Sequence, residues 1–346
     1  MTAQTQPLTA QSPAAQLPEP ALRRLMQLGL NRWRAAQTQR FVKTRALEGK
    51  VIVITGGSSG NGRAIALACA NRGAKIVIAA RGASRLADVA DEIRSLGAEV
   101  LVVQADVTKQ RDMDDLAKRT LERFMRIDVW VNNAGAAFFS KLDEAPPKLR
   151  DWLIDLNIRG VIHGSQTAAA VMRHQGFGQI INMASVAGRI AFPRMAFYSA
   201  TKAFVEVYTQ GLRQELMHVD KTGIKVSVVQ PVAVRTPFFD MAPNEIEGRP
   251  GAYLVAPNLE PDDIGAAVAD GIERYRAVIL PFKAAKSLVL LYDAFPALAD
   301  RLFATMRPDQ PISPWTSRTK GSHRSDHPIS PLVHFGRLEQ HSDTTT

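Results

Sequence analysis

The chain has one cysteine, Cys69, in 346 residues, so no intrachain disulfide is available and a packed core must hold the fold. A lone cysteine fits a reducing compartment, and the cytoplasm is the expected location. Long apolar runs are also missing. The longest, SLVLLYDAFPALADRLF from Ser287, is interrupted by Asp293 and Pro296. No stretch reaches the roughly 20 apolar residues that a membrane-spanning helix needs. Acids are scarce at the start: residues 1–45 hold seven Arg or Lys against Glu19 alone, a net +6 of the chain's +10. The rest is close to balance. The basic character therefore describes an arm and excludes a nucleic-acid-binding face on the core.

Residues 1–20 are rich in Gln, Ala, Pro and Thr and read as disordered. Residues 21–45 mix apolar and basic positions in a way that suits an amphipathic helix. Three roles fit it: docking on the protein's own surface, lying on a membrane, or directing the chain to an organelle. The expected organisation is an arm over 1–47, a catalytic domain over 48–285, an apolar C-terminal helix over 286–306 and a flexible polar tail over 307–346. That tail holds His323, His327, His334 and His341, which read as solvated side chains, and no metal is expected.

From Lys50 the pattern alternates. Short Val- and Ile-rich segments at 51–55, 75–80, 99–106, 128–133, 178–185, 224–230 and 277–282 read as strands. Helical patterns lie between them at 61–72, 84–96, 110–124 and 148–174, and a further helix carries Tyr198. Strands this uniformly apolar are buried on both faces. That predicts an α/β fold with a doubly wound, mostly parallel sheet of about seven strands and helices on both sides. Residues 232–262, irregular and with several Pro and Gly, read as a lid or binding loop.

VIVITGGSSGNGRAIALACA joins the first strand to the first helix through Gly56, Gly57, Gly60 and Gly62. Such a turn lets the backbone approach a pyrophosphate, which then sits at the positive end of the following helix. Folds that prefer NAD place an acid at the end of the second strand to hold the ribose hydroxyls. Here IAARGASR puts Ala80 there, with Arg81 next. An arginine pairs with a 2′-phosphate that an acid would repel, and Ser58 and Ser59 can add hydrogen bonds, so NADP(H) is expected over NAD(H).

AFYSATK places Tyr198 and Lys202 four residues apart on one helix face, thirteen residues after Ser185 in NMASVAG. With TGGSSGNG (55–62), NNAG (132–135) and Asn157 in LNIRG, these segments stand in an order that resembles the short-chain dehydrogenase/reductase family, from about Lys50 to Thr236 and more loosely to 282. The resemblance implies a single-domain Rossmann fold with Ser185, Tyr198, Lys202 and Asn157 as the catalytic set. It implies cofactor contacts from Gly56, Ser58, Ser59, Gly60, Asn61, Gly62, Arg81, Asp106, Val107, Asn133, Ala134, Gly135, Tyr198, Lys202, Pro231, Val234 and Thr236. Three positions depart from the family pattern: Val232 follows Pro231 where glycine is usual, Asn61 replaces an apolar residue, and Ala184 replaces a frequent serine.

The chemistry has its own logic. Hydride transfer to a ketone leaves charge on oxygen that needs a proton, and a tyrosine can supply it. A nearby ammonium is expected to lower the phenol's pKa. By resemblance, Asn157 holds a water that links Lys202 to solvent. Phe138, Phe139, Val186, Ile190, Phe192, Phe238, Phe239 and Met241 follow the catalytic segments and suggest a pocket for a hydrophobic alcohol or carbonyl compound. Several of them can equally be plain core. A homodimer or homotetramer is expected, with peripheral membrane contact open to residues 21–45 or 287–304. The rival reading is a dinucleotide-binding regulator without catalysis on the same fold.

Overall fold

Seven parallel strands form one sheet in the order β3-β2-β1-β4-β5-β6-β7. They are β1 (Val51–Thr55), β2 (Lys75–Ala80), β3 (Val100–Gln104), β4 (Val129–Asn132), β5 (Gly178–Met183), β6 (Ile224–Val229) and β7 (Val278–Ile279). The computed structural model describes residues 45–138, 140–236, 238 and 259–304, with side chains to Arg301. Helices α1 (Gly60–Ala70), α2 (Ala83–Ser95), α3 (Gln110–Phe124), α4 (Pro147–Ile154), α5 (Gly160–Gln175), α6 (Ala196–Arg213) and α7 (Pro261–Glu273) flank the sheet, and α8 (Ala285–Ala294) and α9 (Pro296–Ala304) follow β7. The order reverses between β1 and β4, so the C-terminal ends of those strands open the crevice where a doubly wound fold binds its ligand.

The strands alternate between two cores. Ile52, Ile54, Ile76 and Ile78 face a cluster with α1, α2 and α7. Val51, Val53, Val77 and Trp130 face a second cluster with α3 and α5. Both faces are dry, which is why the strands read as continuous apolar runs.

Several boundaries differ from the expected ones. The third, fourth and fifth strands end earlier than 106, 133 and 185, because the chain leaves the sheet to build the crevice. The seventh strand is two residues, not 277–282. The helix expected over 148–174 contains a π-turn at Asp155–Arg159, where the Gly160 N–H donates to the Asp155 carbonyl five residues back. The stretch expected as one helix over 286–306 holds two, broken where Pro296 cannot continue α8. Within 232–262, Val234 bridges Leu259 in parallel. The arm to residue 44, the tail from 305, Phe139, Phe239 and Met241 lie outside the described residues.

Asp128 opens β4 from the crevice's opposite end. It is 5% exposed, and its carboxylate accepts the Val51 N–H at 2.9 Å and two bonds from the Arg126 guanidinium at 2.8 and 2.5 Å. Replacing it with alanine strands a buried N–H at the start of β1. We expect Asp128→Ala to cost about 2 kcal/mol, a fall of roughly 5 °C in the thermal midpoint. Asp128→Asn should recover part of that fall.

Candidate functional site

The glycine turn is closed by its own neighbours. Gly56 has φ +66°, and a Cβ there would lie 2.9 Å from the Ala134 Cα. A Cβ on Gly62 would strike the Gly56 carbonyl. Thr55, which sequence reasoning passed over, ties this turn to NNAG. Its hydroxyl accepts the Asn133 and Ala134 N–H groups at 3.1 and 3.2 Å, while Asn133 Nδ2 donates to the Thr55 and Gly56 carbonyls at 3.0 and 3.3 Å. A polar residue ending an apolar strand was the available signal.

Helix α1 starts with Ser59 in extended conformation, with no side-chain cap and no acid in its first turn. Its free N–H groups and positive end point into the crevice, and the missing Cβ atoms leave the backbone bare. That cradle fits the pyrophosphate of a dinucleotide. Thr236 is brought to the same place, its Cγ2 lying 3.3 Å from where a Gly60 Cβ would be. Val232 keeps a negative φ, so no glycine is required there.

Arg81 is exposed at the end of β2, beside half-buried Ala80. Asp106 lies in the loop after β3 and turns its carboxylate onto Thr108, accepting from its N–H at 3.1 Å and its hydroxyl at 2.9 Å. Val107 packs against Gly160, and its carbonyl oxygen lies 3.0 Å from His163 Nδ1.

Across the crevice, α6 carries Tyr198 and Lys202, both buried. Ser185 Oγ accepts the Ala187 N–H at 3.1 Å and donates to the Pro231 carbonyl at 3.3 Å, which fixes it at the end of β5. Its side chain lies near enough to the Tyr198 phenol to act on its pKa. Lys202 Nζ donates to the Met183 carbonyl at 2.8 Å and lies 5.9 Å from the Tyr198 ring centroid. Asn157 sits in the π-turn, fully buried. Its Oδ1 accepts the Ala136 N–H at 3.0 Å, and its Nδ2 donates to the Ala136 carbonyl at 2.9 Å and to Thr201 Oγ1 at 3.0 Å. Thr201 in turn donates to the Tyr198 carbonyl at 2.8 Å. The four expected catalytic side chains are thus assembled in one place, with Thr201 and Met183 as partners the sequence did not reveal.

The electrostatics reverse one expectation. The ammonium was expected to pull the phenol's pKa down. Instead, burial pushes Tyr198 up to about 12, with the nearby Ser185 hydroxyl opposing it. Burial also lowers Lys202 to about 8. Lys202 spends its short contact on a carbonyl, so desolvation dominates both groups.

Aromatic residues wall the tyrosine. Phe238 meets its ring edge-on at 6.0 Å, and Phe138 stacks on Phe197 at 5.8 Å. Phe192 packs in the same cluster. Phe138 is 1% exposed and forms the floor rather than an open wall. Val186 and Ile190 belong to the large core behind the sheet. Phe197 was not anticipated.

A sequence model described as short chain dehydrogenase matches residues 50–246. An uncharacterized oxidoreductase of Staphylococcus aureus (strain USA300) is 37% identical over 222 residues, 64% of this chain and 90% of that protein. A short chain dehydrogenase/reductase from Burkholderia phymatum, solved with NAD, superposes with a TM-score of 0.68 at 30% identity, covering 77% of this chain and 99% of that one. A short-chain dehydrogenase from Sphingobium yanoikuyae, solved with NADPH, gives 0.60 at 31% identity, covering 76% and 99%.

Proposed function

Because the chain belongs to the short chain dehydrogenase family, we propose that it is an NADP(H)-dependent oxidoreductase that interconverts a hydroxyl and a carbonyl on a hydrophobic small molecule. The observation that carries this reading is the burial of Tyr198, Ser185 and Lys202 together on one side of the crevice, with an uncapped helix N-terminus on the other. Gly56, Ser58, Gly60 and Gly62 along the glycine turn, with Thr236 beside them, would hold NADP(H), which would supply or accept the hydride.

The chain's own residues handle the oxygen and its proton. Ser185 donates to the substrate oxygen and sets its position. Tyr198, protonated at neutral pH, hands its proton to that oxygen as charge develops. Lys202 lies close enough to working pH to pass a proton onward, and Asn157 and Thr201 hold the helix that carries both groups. The aromatic wall excludes water and favours an apolar substrate. Exposed Ile154 and Val207 on the outer faces of α4 and α6 support pairing of two copies.

Ala80 and Arg81 support the NADP(H) preference. Titration with NADPH and NADH, followed by nicotinamide fluorescence, should show tighter NADPH binding, with turnover on a panel of hydrophobic ketones and aldehydes. Ala80→Asp should weaken NADPH by on the order of tenfold or more while sparing NADH. Equal binding of both cofactors by the unaltered chain would remove the preference. Binding without turnover across the panel would favour the regulator.

A further inference from the structure

Helices α8 and α9 carry an apolar row that the proposed chemistry does not use. Leu290, Phe295 and Leu298 are 57–59% exposed and Leu291 is 39% exposed. Leu290 and Leu291 share the outer face of α8, Phe295 stands at the corner, and Leu298 continues the row one turn into α9. The inner side of the pair packs Leu288, Val289 and Ala299 onto the core that also holds Val186 and Ile190. Arg189, just after the segment that begins at Ser185, pairs with Asp293 at 3.0 Å. The row is therefore fixed beside the catalytic loop.

Its charges are mostly cationic. Lys286 lies one turn before Leu290 on the same face, Lys283 stands in the turn that leads into α8, and Arg301 lies one turn beyond Leu298. All three are exposed and unpaired among the described residues. Of the two acids of the pair, Asp293 is paired with Arg189, while Asp300 accepts from the neutral Tyr292 hydroxyl at 3.3 Å and keeps its charge, so three cations stand against one uncompensated acid. An apolar strip flanked by free cations is the pattern of a helix that lies in a lipid interface, with side chains in the acyl boundary and cations among headgroups. A second copy is a poorer occupant, since two-fold pairing of this face would set cations against cations.

We propose that the α8–α9 pair docks the protein on an anionic bilayer surface, beside the crevice entrance. The use of this docking, access to substrates dissolved in lipid, rests on the oxidoreductase reading; the docking does not. The test is sedimentation of the full chain with vesicles of equal phosphatidylcholine and phosphatidylglycerol, and with phosphatidylcholine alone. We expect binding to the mixed vesicles and little to the neutral ones. Leu290→Glu with Leu298→Glu should lower partitioning at least tenfold. Replacing Lys283, Lys286 and Arg301 together by Gln should lower it on the order of a hundredfold at low salt. These positions are exposed, and unchanged NADPH affinity and thermal midpoint would verify the fold of each variant. No binding by the unaltered chain overturns the proposal. So does undiminished binding by the leucine variant, which assigns lipid contact to the arm, and so does conversion of a dimer to a monomer by that variant, which assigns the row to a second copy. None of these readouts uses turnover, so the oxidoreductase reading stands or fails separately.

Discussion

Tyr198→Phe should lower kcat by on the order of a thousandfold or more while leaving NADPH affinity within about threefold of the unaltered chain. The substitution removes one hydroxyl and keeps the ring against Phe238 and Met195, so packing is preserved. What is lost is the group that gives a proton to the developing alkoxide. At a pKa of about 12 the phenol is fully protonated at neutral pH, which suits carbonyl reduction. Ser185 cannot substitute, because its hydroxyl proton is far less acidic. The measurement is steady-state turnover on a ketone substrate, paired with fluorescence titration of NADPH. Loss of both activities would indicate damage to the crevice, and retained turnover would remove Tyr198 from the mechanism.

Much of this arrangement was legible because it is local. VIVIT and KIVIAA read as doubly buried strands, since each residue type suits a dry face whichever way it points. The glycines of TGGSSGNG mark a bare backbone, and a spacing of four puts Tyr198 and Lys202 on one face. What escaped depends on contacts between distant segments. Thr55 acquires its role only when β4 ends beside β1. Asn157 is reached through the family resemblance alone, since by periodicity it is an ordinary helical position; the π-turn that carries it against Ala136 and Thr201 is announced by no pattern. The sign of the Tyr198 shift escaped for the same reason. A sequence shows that a cation stands four residues away, but not that both groups are sealed from water and that the ammonium is turned to the Met183 carbonyl.

That burial leads to a second large effect, with activity and stability moving in opposite directions. Lys202→Met should abolish most turnover yet raise the thermal midpoint by roughly 2–5 °C at neutral pH. The lysine is 4% exposed, and its pKa falls from an ordinary 10.5 to about 8. Keeping it charged in the folded state below pH 8 therefore costs about 3 kcal/mol relative to the unfolded chain. Methionine fills a similar volume without charge. It leaves the Met183 carbonyl without its donor, a loss of about 1 kcal/mol, so the balance still favours the variant. The pH dependence separates this cause from better packing. Between pH 8 and 10.5 the unfolded lysine holds a proton that the folded one has released, so the stability contributed by this site in the unaltered chain rises over that window. The variant lacks this rise, so its advantage should vanish near about pH 10 and give way, by about pH 10.5, to a deficit of up to about 1 kcal/mol from the lost donor. Tyr198 acts in the reverse sense in both proteins, its raised pKa costing stability as pH climbs from 10 towards 12. Urea unfolding of both proteins at pH 7 and at pH 10.5 reads the difference directly. An advantage that persists at the higher pH would show that packing, and not the buried charge, sets it.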